Sequence, residues 1–498
     1  MGLAKYCPYG QRLAGVALLL VLGACAAVQQ PQRRHLQSAE ADVRECAQWF
    51  HETDAMVAAA GVRDREAAPV AGFPYLRSTR FLAALSAEAV VDDELRRTWL
   101  ELLRATDLRA REAELRNLSA VRSGTVRMDM AQRCGELLLH KDLADPAVAA
   151  VLPERVQVPD AYSDWQRVMG LYALTRIPFA SGVAQWHAEA KAMFGRSRSG
   201  AAPAHPVARY APMAVRRYTR QQVAKLLARA AVEPFGLPQM GAVEEARLLA
   251  AYAPVFEVET TGPYDRPGAL RWTGAEHPAV NPQMPVVYQR LTYTRYGGRT
   301  LVQLVYTMWF SERPADHSAD MLAGKLDGLV WRVTLAPDGE PVLFDAMHPC
   351  GCYHQFLPTP AAVARPAPDP ADEWAFIPAT LPRVREGEQI RLRLATRSHY
   401  LVDVGVQRVG SGTAQNYAVL DEAQLRSLPL PGGGFRSVYG PDALVSGTER
   451  TERFLFWSMG IPSAGAMRQW GNHATAFLGK RHFDDADLIE RRFRLKFD

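Results

Sequence analysis

Apolar residues recur every three or four positions through the first half of the chain and every second position through the last. The change falls near residue 250. Over 40–60, 92–118 and 214–232 the longer spacing predicts amphipathic helices. In the last of these, Val215, Tyr218, Val223, Leu226, Leu227 and Ala230 share one stripe. From about residue 255 the period is two, which predicts strands. Segments 286–296 and 299–310 flank Gly297-Gly298, and segments 329–335 and 341–348 flank Pro337-Asp338-Gly339, so each pair reads as a hairpin. Ile390, Leu392 and Leu394 alternate with Arg391 and Arg393, and Phe493, Leu495 and Phe497 with Arg494 and Lys496. The expected class is α+β, with a helical domain over 40–250 and an antiparallel β domain over 255–498, a sandwich or open barrel. Residues 195–212, with Gly200, Pro203, Pro206 and Pro212, read as a loop or linker. The Pro- and Ala-rich stretch 358–384 reads as a surface excursion between strands.

The 498 residues exceed the usual length of one domain, and a 48% hydrophobic share is that of a folded protein. A net charge of +5 is too modest to point to nucleic acid. Basic residues do cluster locally. Nine lie from Lys191 through Arg229, and no acid occurs between Glu189 and Glu233. Such a stretch faces anionic lipid headgroups or lipopolysaccharide, docks on the acidic segment 40–54, or is simply a solvated face.

The N-terminus changes the picture more. Lys5 and Arg12 precede an apolar run over 13–22. A permanent membrane span needs roughly 20 residues, so this run is too short, and it has the form of a signal peptide. It ends in Leu22-Gly23-Ala24-Cys25, which resembles the lipobox of bacterial lipoproteins. The resemblance implies a signal peptide over 1–24, cleavage before Cys25, and a diacylglycerol- and palmitate-type lipid on Cys25. Residues 25–39 then form a tether. Ala26 in place of Asp implies the outer membrane, facing the periplasm or the cell surface. The expected partners are the membrane, through that anchor, and an envelope glycan or protein, with no nucleic acid.

Four cysteines remain besides Cys7 and Cys25. In an oxidising compartment an even number suggests disulfides, and Cys46 and Cys134, both in predicted helices, are the expected pair. The other two lie in His348-Pro-Cys350-Gly-Cys352-Tyr-His354, directly after a predicted strand. Thiolates and imidazoles suit zinc or copper. Four ligands from one short segment would be strained, so a site would use two or three of them with a distant histidine: His473, His399 or His317. Competing with the metal are a strained Cys350–Cys352 disulfide and histidines that only cap the strand by hydrogen bonding.

Weaker signals include Met467–His473, with Arg468 and Trp470. Asp484, Asp485 and Asp487 read as helix caps. Asp316, His317, Asp320 and Asp327 read as a hydrogen-bonded turn. Trp309 and Trp331 read as core. There is no His-Glu-x-x-His and no Gly-x-Ser-x-Gly. Two functions follow: a non-catalytic binding or structural factor of the envelope, or a zinc- or copper-binding lipoprotein, conceivably an enzyme, with its site at the Cys-Gly-Cys loop.

Overall fold

A computed structural model describes residues 30–119, 128–213, 217–274 and 277–497. The signal sequence, Cys25 and Val215 lie outside them. The architecture is the expected one: a helical region followed by a large, mostly antiparallel sheet curled into a half-barrel.

Helices α1 (Gln30–Leu36), α2 (Ala41–Ala59), α3 (Asp93–Ser119), α4 (Met128–Leu143) and α5 (Pro146–Arg155) make up the first part, with α6 (Asp164–Met169) and α7 (Tyr172–Arg198) after them. Phe50, Trp99, Leu103 and Leu138 form their core. Cys46 on α2 and Cys134 on α4 are bonded, with Cα atoms 5.0 Å apart. Beneath this core, Arg77 joins Asp107 and Glu114, and Arg111 joins Asp107, all four side chains almost fully buried.

The sheet has ten strands: β1 (Val207–Pro212), β2 (Val255–Glu259), β3 (Val286–Tyr296), β4 (Arg299–Arg313), β5 (Gly324–Leu335), β6 (Pro341–Met347), β7 (Gln355–Pro358), β8 (Glu388–Leu394), β9 (Leu401–Arg408) and β10 (Gln415–Asp421). Their order is β7-β6-β5-β4-β3-β10-β1-β2-β8-β9. Both predicted hairpins are present as β3–β4 and β5–β6. Trp331 packs inside the curl, where α8 (Arg220–Leu227) and α9 (Ala242–Tyr252) fill it with Val223, Leu226 and Leu249. Trp309 is equally buried in a neighbouring cluster.

Three expectations need correction. First, residues 195–212 are not a linker. Helix α7 runs through Arg198, and Val207–Pro212 is an inner strand of the sheet, pairing parallel with β10 and antiparallel with β2. Three pairings in the sheet are parallel, because long connections bring back strands distant in sequence. Second, the basic stretch does not dock on 40–54. Arg209 pairs with Glu257, Arg220 with Glu340 and Arg229 with Glu244, while Glu40 and Asp54 pair with Lys141 and Arg111. Third, 358–384 is more than a surface excursion. Phe356 N–H bonds Phe376 O and Leu381 N–H bonds Pro358 O, which lays the segment along edge strand β7, and Phe376, Leu381 and Val384 are buried.

The two regions share contacts. Arg426 and Gln469 both bond Asp64, at 2.7 and 2.9 Å, and Arg290 on β3 bonds Glu66. None of the described helices is long and apolar enough to cross a membrane.

Candidate functional site

The seven residues from His348 to His354 connect β6 to β7. His348 N–H bonds Cys352 O at 3.0 Å, and Gly351 N–H bonds His348 O at 2.8 Å. Gly351 has φ +92°, and a Cβ there would lie 2.5 Å from Ala474 O, so the turn requires glycine. Tyr353 follows at φ +61°, a left-handed backbone unusual for a bulky residue. Its ring is held among Trp186, His348 and Tyr400, with centroids 5.2, 5.0 and 4.6 Å away.

Each histidine of the expected metal set has a different partner. His348 Nδ1 lies 3.0 Å from Asp327 Oδ1. His354 Nε2 lies 2.9 Å from Asp345 Oδ2, whose other contacts are to Arg332. His473 Nε2 lies 3.1 Å from Pro349 O. His399 takes the second oxygen of Asp327 at 2.9 Å and lies 3.4 Å from Asp265, while His317 is exposed on a turn. Among the described residues, no group of three or more His, Cys, Asp or Glu side chains is placed to hold a metal ion. The physical reason is that strands β5 and β6 present separate buried carboxylates, Asp327 and Asp345. Each takes one ring nitrogen and draws His348 and His354 to different partners, while His348 Nε2 and His354 Nδ1 have no protein hydrogen-bond partner among the described residues. Cys350 and Cys352 are free thiols.

Asp327, read from sequence as part of a surface turn, is the centre of a buried relay. Burial alone would raise its pKa, but His348, His399 and Arg450 outweigh that and hold it well below the usual carboxylate range. Burial pushes His348 down, so it is neutral. The same burial acts on His399, but the two carboxylates beside it overcome it and push the imidazole up. The ring stacks on Phe310 at 3.9 Å. Asp327 thus meets His348, His399 and Arg450, and Asp265 meets His399, so each buried carboxylate has partners.

Beside the loop opens a cavity of about 600 Å³, within the usual range for small-molecule sites. One wall is Cys350–His354. The opposite wall comes from α7, with Phe179, Gly182, Val183 and Trp186. Glu373, Trp374 and Phe376 of the Pro-rich segment close one side, and Glu452, Leu455, Phe456, Phe477 and Arg481 the rest. The lining is mainly apolar and rich in aromatic rings, with Phe179 5.4 Å from Phe456 and Trp186 5.3 Å from Phe376. Its polar groups are mostly kept neutral. Burial pushes Glu452 up to about 7 against the opposing pull of Arg450 and Arg313. Burial also lowers His187 to about 4 and His354 to about 3, and raises Glu373.

The mouth of the cavity is apolar outside as well as inside. Leu455 lines the cavity yet is 52% exposed, and its neighbour Phe454 is 71% exposed. On the α7 side, Ile177 precedes the lining residue Pro178 and is 67% exposed. Leu174, Leu171, Met169, Val168 and Trp165 continue the strip, and Trp165 meets Trp457 at 5.4 Å. So many exposed large apolar side chains in one segment beside a cavity are unusual on a free surface.

Sequence reasoning found the loop but missed Trp186, Phe179, Glu452, Arg450 and Tyr400, which come from three distant segments. One signal was available. The first half of α7, Tyr172–Arg198, carries apolar residues on every face, a pattern of helices covered by something other than water. The chain matches no protein-family model, no curated protein and no solved structure.

Proposed function

We propose that this protein is a non-catalytic binding factor of the bacterial envelope, lipidated at Cys25, that takes the apolar chain of an amphipathic lipid from the adjoining bilayer. The observation that carries the reading is the continuity between an aromatic cavity and an exposed apolar strip at its mouth. A mainly apolar cavity of this kind gains from an apolar occupant, whose surface leaves water on entry. An apolar strip at the mouth lets a chain pass from bilayer to cavity without crossing water.

The sequence supports the same arrangement. Four residues, 26–29, separate Cys25 from α1, and the five Cα–Cα steps from Cys25 to Gln30 reach at most about 18 Å. Helix α1 is in turn fixed to the body, with Arg34 on Asp145 and His35 on Asp142, each at 2.8 Å. A lipid on Cys25 would therefore hold the body close to the membrane.

Titration with a fluorescent conjugated polyene fatty acid tests the proposal. One saturable equivalent should bind and be displaced by non-fluorescent long-chain lipid. Gly182→Trp places an indole at a lining position of α7 where an added Cβ meets nothing within 4 Å. It should abolish the signal while leaving the melting temperature in place. Equal binding by Gly182→Trp would refute the assignment of the site.

A further inference from the structure

Cys350 and Cys352 stand apart from the lipid reading, because thiols add little to holding an apolar chain. The left-handed turn at Gly351 brings both onto one wall of the cavity. Cys350 sulfur receives the Cys352 amide at 3.4 Å and the Cys352 thiol as well. The thioether of Met467 packs in the same buried cluster.

The charge around the pair is unbalanced. Arg468 is buried, and its guanidinium bonds only backbone oxygens, those of Cys350 at 3.2 Å, Ser463 at 2.8 Å and Pro462. Among the described residues no carboxylate pairs with it. Arg450, 2% exposed, spends one nitrogen on Leu326 O and stands 3.6 Å from Asp327, while its Nε has no protein partner. Arg468 is thus a buried guanidinium beside the two thiols with no carboxylate partner among the described residues, while Arg450 on their other side already faces Asp327.

We infer that Cys350 and Cys352 together bind one monovalent copper ion as a two-thiolate site on the cavity wall. Two S–H bonds give up their protons to solvent, two Cu–S bonds form, and copper remains Cu(I), so no oxidant is needed. The product carries one net negative charge, which Arg450 and Arg468 face. Soft thiolate and thioether donors select this ion. Structural zinc requires four ligands, and among the described residues no group of three or more His, Cys, Asp or Glu side chains is placed to hold an ion.

The test is an anaerobic titration of the purified mature chain with Cu(I) in ascorbate, competed by bicinchoninate. One copper per chain should be withheld from the chelator, both thiols should become unreactive to Ellman's reagent, and an X-ray absorption spectrum should show sulfur donors only. Copper should raise the melting temperature of the parent chain with concentration. Cys350→Ser and Cys352→Ser should each lose both effects, and His473→Gln should keep them. Three outcomes would overturn the inference: copper released equally by parent and Cys350→Ser, equal retention of zinc, or a chain trapped with N-ethylmaleimide that is two hydrogens lighter and carries a Cys350–Cys352 bond.

Discussion

Glu452→Gln removes a charge from the cavity wall while keeping the side chain's shape. Glu452 is 3% exposed, and Gly465 gives its carboxyl room: a Cβ on Gly465 would lie 2.0 Å from Oε1. Burial raises its pKa from 4.5 to about 7. The folded state therefore holds this proton up to higher pH than the unfolded chain does. Its contribution to stability is complete below about pH 4.5, declines as pH rises, and is lost above about pH 7. At 1.36 kcal/mol per pKa unit the full loss is about 3 kcal/mol, a ceiling that water entering the cavity reduces. Glutamine stays neutral throughout. In urea unfolding at pH 4.5 the two proteins should agree within about 1 kcal/mol. At pH 8 the variant should be more stable by up to about 3 kcal/mol. Other titrating groups cancel in the difference. The affinity of the parent for a fatty acid should also fall above pH 7, and that of the variant should not, because a carboxylate in the wall must be desolvated when a chain enters. Parallel stability profiles at the two pH values would refute the buried, protonated acid.

Three further outcomes follow from the fold. Cys46→Ala opens a loop of 88 residues and should cost roughly 4–5 kcal/mol, read by thermal melting against the reduced parent, which should match it. Arg77→Leu leaves Glu114 and Asp107 buried beside a lost partner and should cost about 3–5 kcal/mol by urea unfolding, the usual effect of breaking a buried pair from one side. Cys25→Ser should release the protein from membranes after a salt wash, yet the released protein should still float with vesicles of phosphatidylethanolamine and phosphatidylglycerol. Adding Leu174→Glu and Phe454→Glu should end that residual binding, since both side chains lie exposed on the strip.

The elements with a strong period were legible from sequence. Helices α2 and α3, hairpins β3–β4 and β5–β6, and the Cys46–Cys134 bond fall where spacing put them. Strand β1 was hidden because Val207–Pro212 is short, follows Pro203 and Pro206, and pairs only with strands far along the chain. Of the site, the His348–His354 loop was visible because its residue types are rare together. Its use was not. Whether His348 meets a metal or Asp327 depends on a carboxylate 21 residues away that shows as one more polar position in a turn. The cavity was invisible for the same reason: Phe179, Trp186, Phe376 and Phe456 each look like ordinary core until the fold leaves space between them.

Native mass spectrometry of the protein released gently from membranes tests the central claim most directly. The parent should carry one non-covalent amphipathic lipid in addition to any lipid on Cys25, and Gly182→Trp prepared alongside should carry none. A parent whose mass is that of the chain and its covalent anchor alone, before and after incubation with lipid vesicles, would contradict the account.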